Sequence, residues 1–338
     1  MTFTEAIKKG FGTVNKNWQL VLIQIGAVFA SFIGFFILIG LPLAIAFIIF
    51  GLDLTELSRL EDVFRTLREP SELIARYFGL VILLLASFLL YIMVALALWI
   101  FVFGGSIGVM SRSIKEGLEG FSIKVFFSEG RRLFFPLIWF TTMVGLIFIA
   151  LAFVLGLFGG SIAAIISSAK EQGATLALFL GIFFSIILFI IGITLILTTL
   201  SVTIYGAAIM AIRGFGPVNS MKEALSYLYK HADAFYLYCM VFVGYIVISF
   251  FAVFLGYPLR FIPLLGTLMS FAYQLAVYVV QSYLGLVMIA TIVCYYYFST
   301  AEGPFVESTS ASSTPEIGIS LPQAPGHEDT PPEKAGSE

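Results

Sequence analysis

The sequence predicts an all-α integral membrane protein, with six transmembrane helices arranged as three hairpins, each preceded by an amphipathic interfacial helix. Three observations predict it. Hydrophobic residues make up 60% of the chain and charged residues only 11%, a balance far from that of water-soluble domains. Six apolar runs, at 18–51, 77–110, 135–168, 175–212, 235–257 and 264–298, each exceed the roughly 20 residues a helix needs to cross about 30 Å of hydrocarbon. Charged segments with helical spacing recur between them, most plainly EAIKKGFGTVNKNW at 5–18 and EALSYLYKHADAFY at 223–236.

The N-terminal segment is too amphipathic, and the apolar run behind it too long, for a cleavable signal peptide, so it is expected to persist. On a helical wheel Phe3, Ala6, Ile7, Phe11, Val14 and Trp18 share one face, while Glu5, Lys8, Lys9 and Lys16 fall elsewhere. That suits a helix lying in the headgroup plane, with Lys8 and Lys9 as candidate headgroup contacts and Trp18 as the anchor. The first span carries Gln24 and a natural breakpoint at Pro42. An acidic, amphipathic insert follows at 53–72, with a capping box at Asp53 and Glu56 and an apolar stripe ended by Pro70. A helical lid over the loops is its plainer reading, ahead of a ligand site.

Gly104–Gly105 and Gly159–Gly160 are the natural breakpoints of the second and third spans. Before the third span Ile123, Phe126, Phe127, Gly130 and Phe134 oppose Lys124, Arg131 and Arg132, and the two arginines are candidate headgroup or anion contacts. Thr198, Thr199, Ser201 and Thr203 in the fourth span read as packing groups that bond their own backbone or a neighbouring helix. Before the fifth span Ala224, Leu225, Leu228, Ala232 and Phe235 face away from Lys222, Ser226, Lys230 and Asp233. Arg260, between Pro258 and Pro263, either snorkels to the outer headgroups or takes an anionic ligand. Gln274 and Gln281 share a face of the sixth span; with Gln24 they bond across helix interfaces or, as the sharper reading, line a cavity. Residues 295–298, YYYF, form an inner aromatic belt, and Cys239 and Cys294 are packing residues.

The ends of two spans also match, GVMSR at 108–112 with AIMAIR at 208–213. Three repeat units follow, at about 1–110, 121–212 and 219–299, within a membrane domain covering 1–300. Parallel repeats place equivalent helices around an axis along the membrane normal. Residues 301–338 turn to Pro, Ser, Glu and Gly without periodicity, a disordered acidic tail. Lys and Arg number 12 on the side of the N-terminus and 6 on the other. By the positive-inside rule, both termini are cytoplasmic and the location is the inner cell membrane.

Chemistry is sparse. No basic patch with interleaved aromatics suggests nucleic acid. The only histidines are His231 and His327, so no metal-ligand spacing can be assembled, and no cofactor is expected. No charged residue lies deep in a span, which argues against ion-coupled transport and against intramembrane catalysis. The expectation is a non-enzymatic scaffold or lipid-interacting component, with membrane lipids and a protein at the cytoplasmic helices or tail as partners. The alternative is an uncoupled transporter or channel for a lipid or amphiphilic solute.

Glu5, Ala6, Ile7, Phe11, Lys16, Asn17 and Trp18, and again Glu223, Ala224, Leu225, Tyr229, Asp233, Phe235 and Tyr236, carry a family likeness. Over 1–300 the chain resembles the membrane domain that accompanies some glycerophosphodiester phosphodiesterases, and its stand-alone prokaryotic relatives of unknown function. The resemblance implies a six-helix membrane domain. It does not carry phosphodiesterase activity, because the acidic and histidine constellation of the soluble catalytic domain is missing.

Single cysteines at Ser58 or Thr66, in a chain with Cys239 and Cys294 replaced by alanine, are expected to react with an impermeant maleimide in intact cells. Labelling only after permeabilisation rejects the orientation.

Overall fold

A computed structural model describes residues 1–49, 78–117, 120–256, 258 and 265–301. The insert at 53–72, Arg260 and the tail beyond 301 lie outside the described residues. The described chain is helical: α1 Phe3–Lys16, α2 Gln19–Phe35, a π-turn Phe36–Gly40, α3 Leu41–Ile49, α4 Phe78–Glu116, α5 Ile123–Gln172, α6 Ala174–Arg213, α7 Pro217–Lys230, α8 Ala232–Leu255 and α9 Leu265–Ala301. Six stretches are long and apolar enough to cross a membrane, Gln19–Ile45, Val81–Glu116, Ile123–Glu171, Ala174–Arg213, Ala232–Leu255 and Met269–Thr300. This is the framework of a multi-pass membrane protein.

Helix α1 begins at a capping box. The Glu5 N–H donates to Thr2 Oγ1, and the Thr2 N–H donates to Glu5 Oε2 at 3.0 Å. The backbone N–H of Thr2, then its hydroxyl, holds the Glu5 carboxyl below its ordinary pKa. The helix ends at Asn17, whose side-chain Nδ2 donates to the Thr13 carbonyl at 2.9 Å and to Ser113 Oγ at 3.3 Å. A C-terminal carbonyl is thus satisfied where the chain turns into the first span.

The expected breakpoints behave differently from one another. Pro42 does not break the first span; the π-turn just before it absorbs the misfit. The Leu41 N–H reaches back to the Phe36 carbonyl, an i→i+5 bond that rearranges the ladder around the missing proline donor. Gly104–Gly105 lies inside uninterrupted α4, and Gly159–Gly160 inside uninterrupted α5. The second lead segment is therefore not a helix of its own. It is the start of α5, 50 residues long, or about 75 Å at 1.5 Å per residue. Packing against α4 on one side and α6 on the other outweighs the bond lost at Pro136 and the two glycines' weak propensity.

The lead helices bury only part of the faces that the apolar stripes marked, Ala6, Val14, Phe126, Gly130 and Ala224 among them. Helix α1 buries Ala6, Gly10 and Val14, and α7 buries Ser220, Ala224 and Tyr227. Phe11, Trp18 and Leu225 are exposed, Trp18 by 53%. At the start of α5 the buried line is Phe126, Glu129, Gly130 and Leu133, with Ile123 and Phe127 outside. Ala6, Gly10, Gly130, Ser220 and Ala224 let the backbones approach closely, and Val14, Phe126, Leu133 and Tyr227 fill the space beside them. By helix start, α7 follows α1 at an offset of 214 (Phe3 to Pro217), whereas the matched motifs lie 218 apart (Glu5 to Glu223). The difference is about one helical turn, a slip that leaves the face unchanged.

The packed core gathers where α1, the start of α5 and α7 meet the C-terminal ends of α4, α6 and α9. The six form a closed ring. Helix α1 sits on α9, where a Cβ on Gly10 would stand 2.9 Å from the Thr291 backbone N, and on α4 through Asn17 and Ser113. The start of α5 sits on α4, with Phe126 against Gly105 and Glu129 against Gly108, and on α6, where Arg132 Nη2 donates to the Ala211 carbonyl at 2.9 Å. Helix α7 sits on α6, where Arg213 Nη1 donates to Glu223 Oε1 at 3.3 Å, and on α9, where Tyr227 OH and Ser299 Oγ are 2.6 Å apart. Away from this ring the spans expose large apolar side chains along most of their length, among them Phe32, Phe88, Phe153, Phe189 and Phe250.

Gly10→Val is expected to lower the thermal midpoint of the detergent-solubilised protein by an amount matching about 1–3 kcal/mol, the cost of overpacking. Gly12→Ala, with nothing within 4 Å of its Cβ, is expected to hold or raise it, since alanine is the better helix former. Equal midpoints for the two would show that the α1–α9 contact does not carry the packing.

Candidate functional site

The ring holds most of the polar chemistry among the described residues. Its most desolvated charge is Glu129, 1% exposed on α5. Arg112 Nε lies 2.9 Å from its Oε1, and Arg132 Nη2 lies 2.7 Å from its Oε2. Arg112 also reaches Glu116 at 3.8 Å. The carboxylate has no room to leave, because Gly108 lies directly against its Cβ and Cγ. Arg112 and Arg132 are 39% and 50% exposed, so their outer edges stay hydrated while their inner edges neutralise the acid. The arrangement is an ionic clasp across three helices. A buried ion pair of this kind fixes geometry more reliably than it adds stability.

On the α7 side Tyr227 is buried between α6 and α9, with its ring 5.0 Å from that of Tyr296 and 5.5 Å from that of Tyr205. Burial pushes its hydroxyl up to about 12, against a smaller lowering by the Ser299 bond. It stays neutral at any physiological pH and serves as a hydrogen-bonding strut. In α6, Thr198, Thr199 and Thr203 donate to their own i−4 carbonyls at 2.8, 2.9 and 2.7 Å. Ser201 is buried with its Oγ unpartnered.

The residues singled out from sequence are scattered. Lys8 and Arg131 are exposed. Arg132 is tied into the clasp and to Ala211, so it is a helix-joining residue rather than a free headgroup contact. Gln24 and Gln281 are half-buried and Gln274 is exposed, which weakens a shared polar path among the three. Lys9 is the one brought into a shaped site. Its Nζ lies 3.6 Å from the centroid of the Phe298 ring, beside a cleft of about 270 Å³ between α1 and the ends of α4 and α9. A shallower cleft of about 380 Å³ lies over α7, where Lys222 and Glu223 offset each other.

Glu129, Arg112, Asn17, Thr13 and Lys16 were not among the predicted site residues. Glu129 had a signal: it falls on the line Phe126, Gly130, Leu133 and Leu137, so a charge was set on a buried face. Asn17 had one too, as a polar residue between an amphipathic helix and an apolar span. Among the described residues no three His, Cys, Asp or Glu side chains are placed to hold a metal ion.

No family model, curated protein or solved structure matches the chain.

Arg132→Met is expected to destabilise the protein by about 2–4 kcal/mol in a reversible unfolding titration, because it strands part of a buried carboxylate. Arg131→Met, one residue away and exposed, is expected to change stability by less than about 0.5 kcal/mol. Similar costs for the two would dismiss the clasp.

Proposed function

We propose that the chain is a non-enzymatic, lipid-contacting scaffold of a prokaryotic inner membrane, three hairpins with both termini on the cytoplasmic side. One observation carries the reading: on their outer faces α1 and α7 present large apolar side chains together with lysines. Phe11 and Trp18 are exposed beside Lys8 and Lys16 on and just after α1, and Leu225 and Tyr229 beside Lys222 and Lys230 on α7. That combination suits the boundary between acyl chains and anionic headgroups. The excess of basic residues on this side supports its assignment to the cytoplasm.

The ring supports the three-unit reading as well. Each lead segment is wedged between the closing ends of two even-numbered spans, and the same alternation recurs three times. The resemblance to the membrane domain accompanying some glycerophosphodiester phosphodiesterases, and to its stand-alone relatives, agrees with a membrane platform lacking a catalytic site of its own. Asn17, Glu129, Arg132 and Tyr227 bond across helix junctions of the ring, which is the work of a scaffold.

Purified from native membranes in mild detergent, the protein is expected to retain anionic lipid in excess over the bulk membrane, measured by lipid mass spectrometry. A retained lipid profile equal to the bulk, with no co-purifying protein, would remove the basis for this reading.

A further inference from the structure

We propose that the cleft between α1, α4 and α9 is a specific seat for the phosphate of an anionic lipid headgroup. The inference rests on the lipid-contact reading above and assigns it a place. Lys9 and Lys16 line the cleft together with Thr13, Ser113, Gly117 and Phe298, and among the described residues no carboxylate lines it. Glu5, four residues before Lys9, interacts electrostatically with it from outside the cleft, and within the described lining the two ammonium groups attract an anion.

Each wall is fixed by contacts the ring needs for other reasons. The Phe298 ring holds the Lys9 ammonium by a cation–π contact at 3.6 Å. Thr13 donates its hydroxyl hydrogen to the Lys9 carbonyl at 2.9 Å, so it braces the wall and leaves the ammonium groups as donors to a phosphate. Behind the cleft, wholly buried Asn17 donates to Ser113 Oγ, which orients that hydroxyl. Among the described residues, Gly12 and Gly117 have nothing within 4 Å of a Cβ position. The carbonyls ending α1 and α4 oppose an anion with roughly half a charge each; the two lysines together exceed that.

Size and position choose the ligand. A volume of about 270 Å³ is below the roughly 300–1,000 Å³ usual for whole drug-sized ligands, so a headgroup fits and acyl chains do not. The exposed apolar surfaces of Trp18 and Leu22 lie just past the end of α1, where the chains of such a lipid would run. A phosphate bound here ties the lead helix to the ends of α4 and α9 at once.

The test titrates the full-length protein in detergent micelles with phosphatidylglycerol, read by native mass spectrometry, with phosphatidylcholine for comparison. Wild type is expected to bind phosphatidylglycerol about tenfold more tightly than phosphatidylcholine, and Lys9→Gln/Lys16→Gln to weaken phosphatidylglycerol about tenfold. Lys8→Gln, on the same helix but outside the cleft, is expected to stay within about twofold, and Lys9→Arg/Lys16→Arg to retain binding. Thermal midpoints separate lost binding from lost fold, and Lys16→Gln alone replaces the double variant if that unfolds. Wild-type affinity in the glutamine variants overturns the site and leaves the scaffold reading standing. No phosphatidylglycerol bound by wild type overturns both. Displacement of the lipid by millimolar inorganic phosphate assigns the cleft to the free ion and overturns the headgroup.

Discussion

Close approach of helix backbones at one end of the bundle is the constraint on which the rest depends. Inside a membrane lipid tails are as apolar as leucine, so helices gain little from burying apolar side chains and must gain from van der Waals fit and interhelical polar bonds. The chain supplies both at the ring. Gly10, Gly105, Gly108 and Gly206 each have a neighbour so near that a Cβ would collide with it. Asn17, Arg132 and Tyr227 then bond across the same junctions. Elsewhere the spans keep large side chains outside, Phe153 and Phe189 among them, which lipid can cover at no cost.

The clasp at Glu129 depends on that closeness. A carboxylate taken from water loses several kcal/mol of solvation, which two well-placed guanidinium groups repay only when the geometry holds. Gly108 brings α4 near enough for Arg112 to reach, and the i, i+3 spacing on α5 brings Arg132. Placing the acid at the end of the bundle lets both arginines keep one edge in water. The same residues deep in a span would meet a far larger penalty.

Much of this was legible in the sequence, in an uneven way. Apolar length alone marked the six spans, because the requirement to cross hydrocarbon is blunt. The existence of α1 and α7 was also legible, from charge at helical spacing. Their buried faces were legible only in part: Ala6, Val14 and Ala224 of the apolar stripes are buried, but so are Gly10 and Ser220, which hydropathy ranks below the exposed Trp18 and Leu225. Register between the two was ambiguous by one turn, as any 3.6-residue pattern is. The continuity of α5 was hidden because Pro136 and Gly159–Gly160 are breaking signals taken one at a time, and only the helices on either side override them. Of the candidate site, Lys9 was visible as a surface lysine, but its aromatic partner lies near the other end of the chain.

That last pairing explains why an anion seat arises here. The ring brings residues 9–16 beside residues 113–117 and 294–298, segments that share no local pattern. Each contributes what its own role already requires: α1 a lysine face for the headgroup plane, α4 a glycine where the helix stops, α9 an aromatic at the interface. With the three joined, Lys9 loses part of its freedom to Phe298, so less entropy remains to be lost when a phosphate binds. A surface lysine on an isolated amphipathic helix is diffuse in its attraction to any anionic lipid. Fixed over Phe298 in a cleft between three helices, the same group becomes selective, and its selectivity is inherited from the packing that holds the helices together.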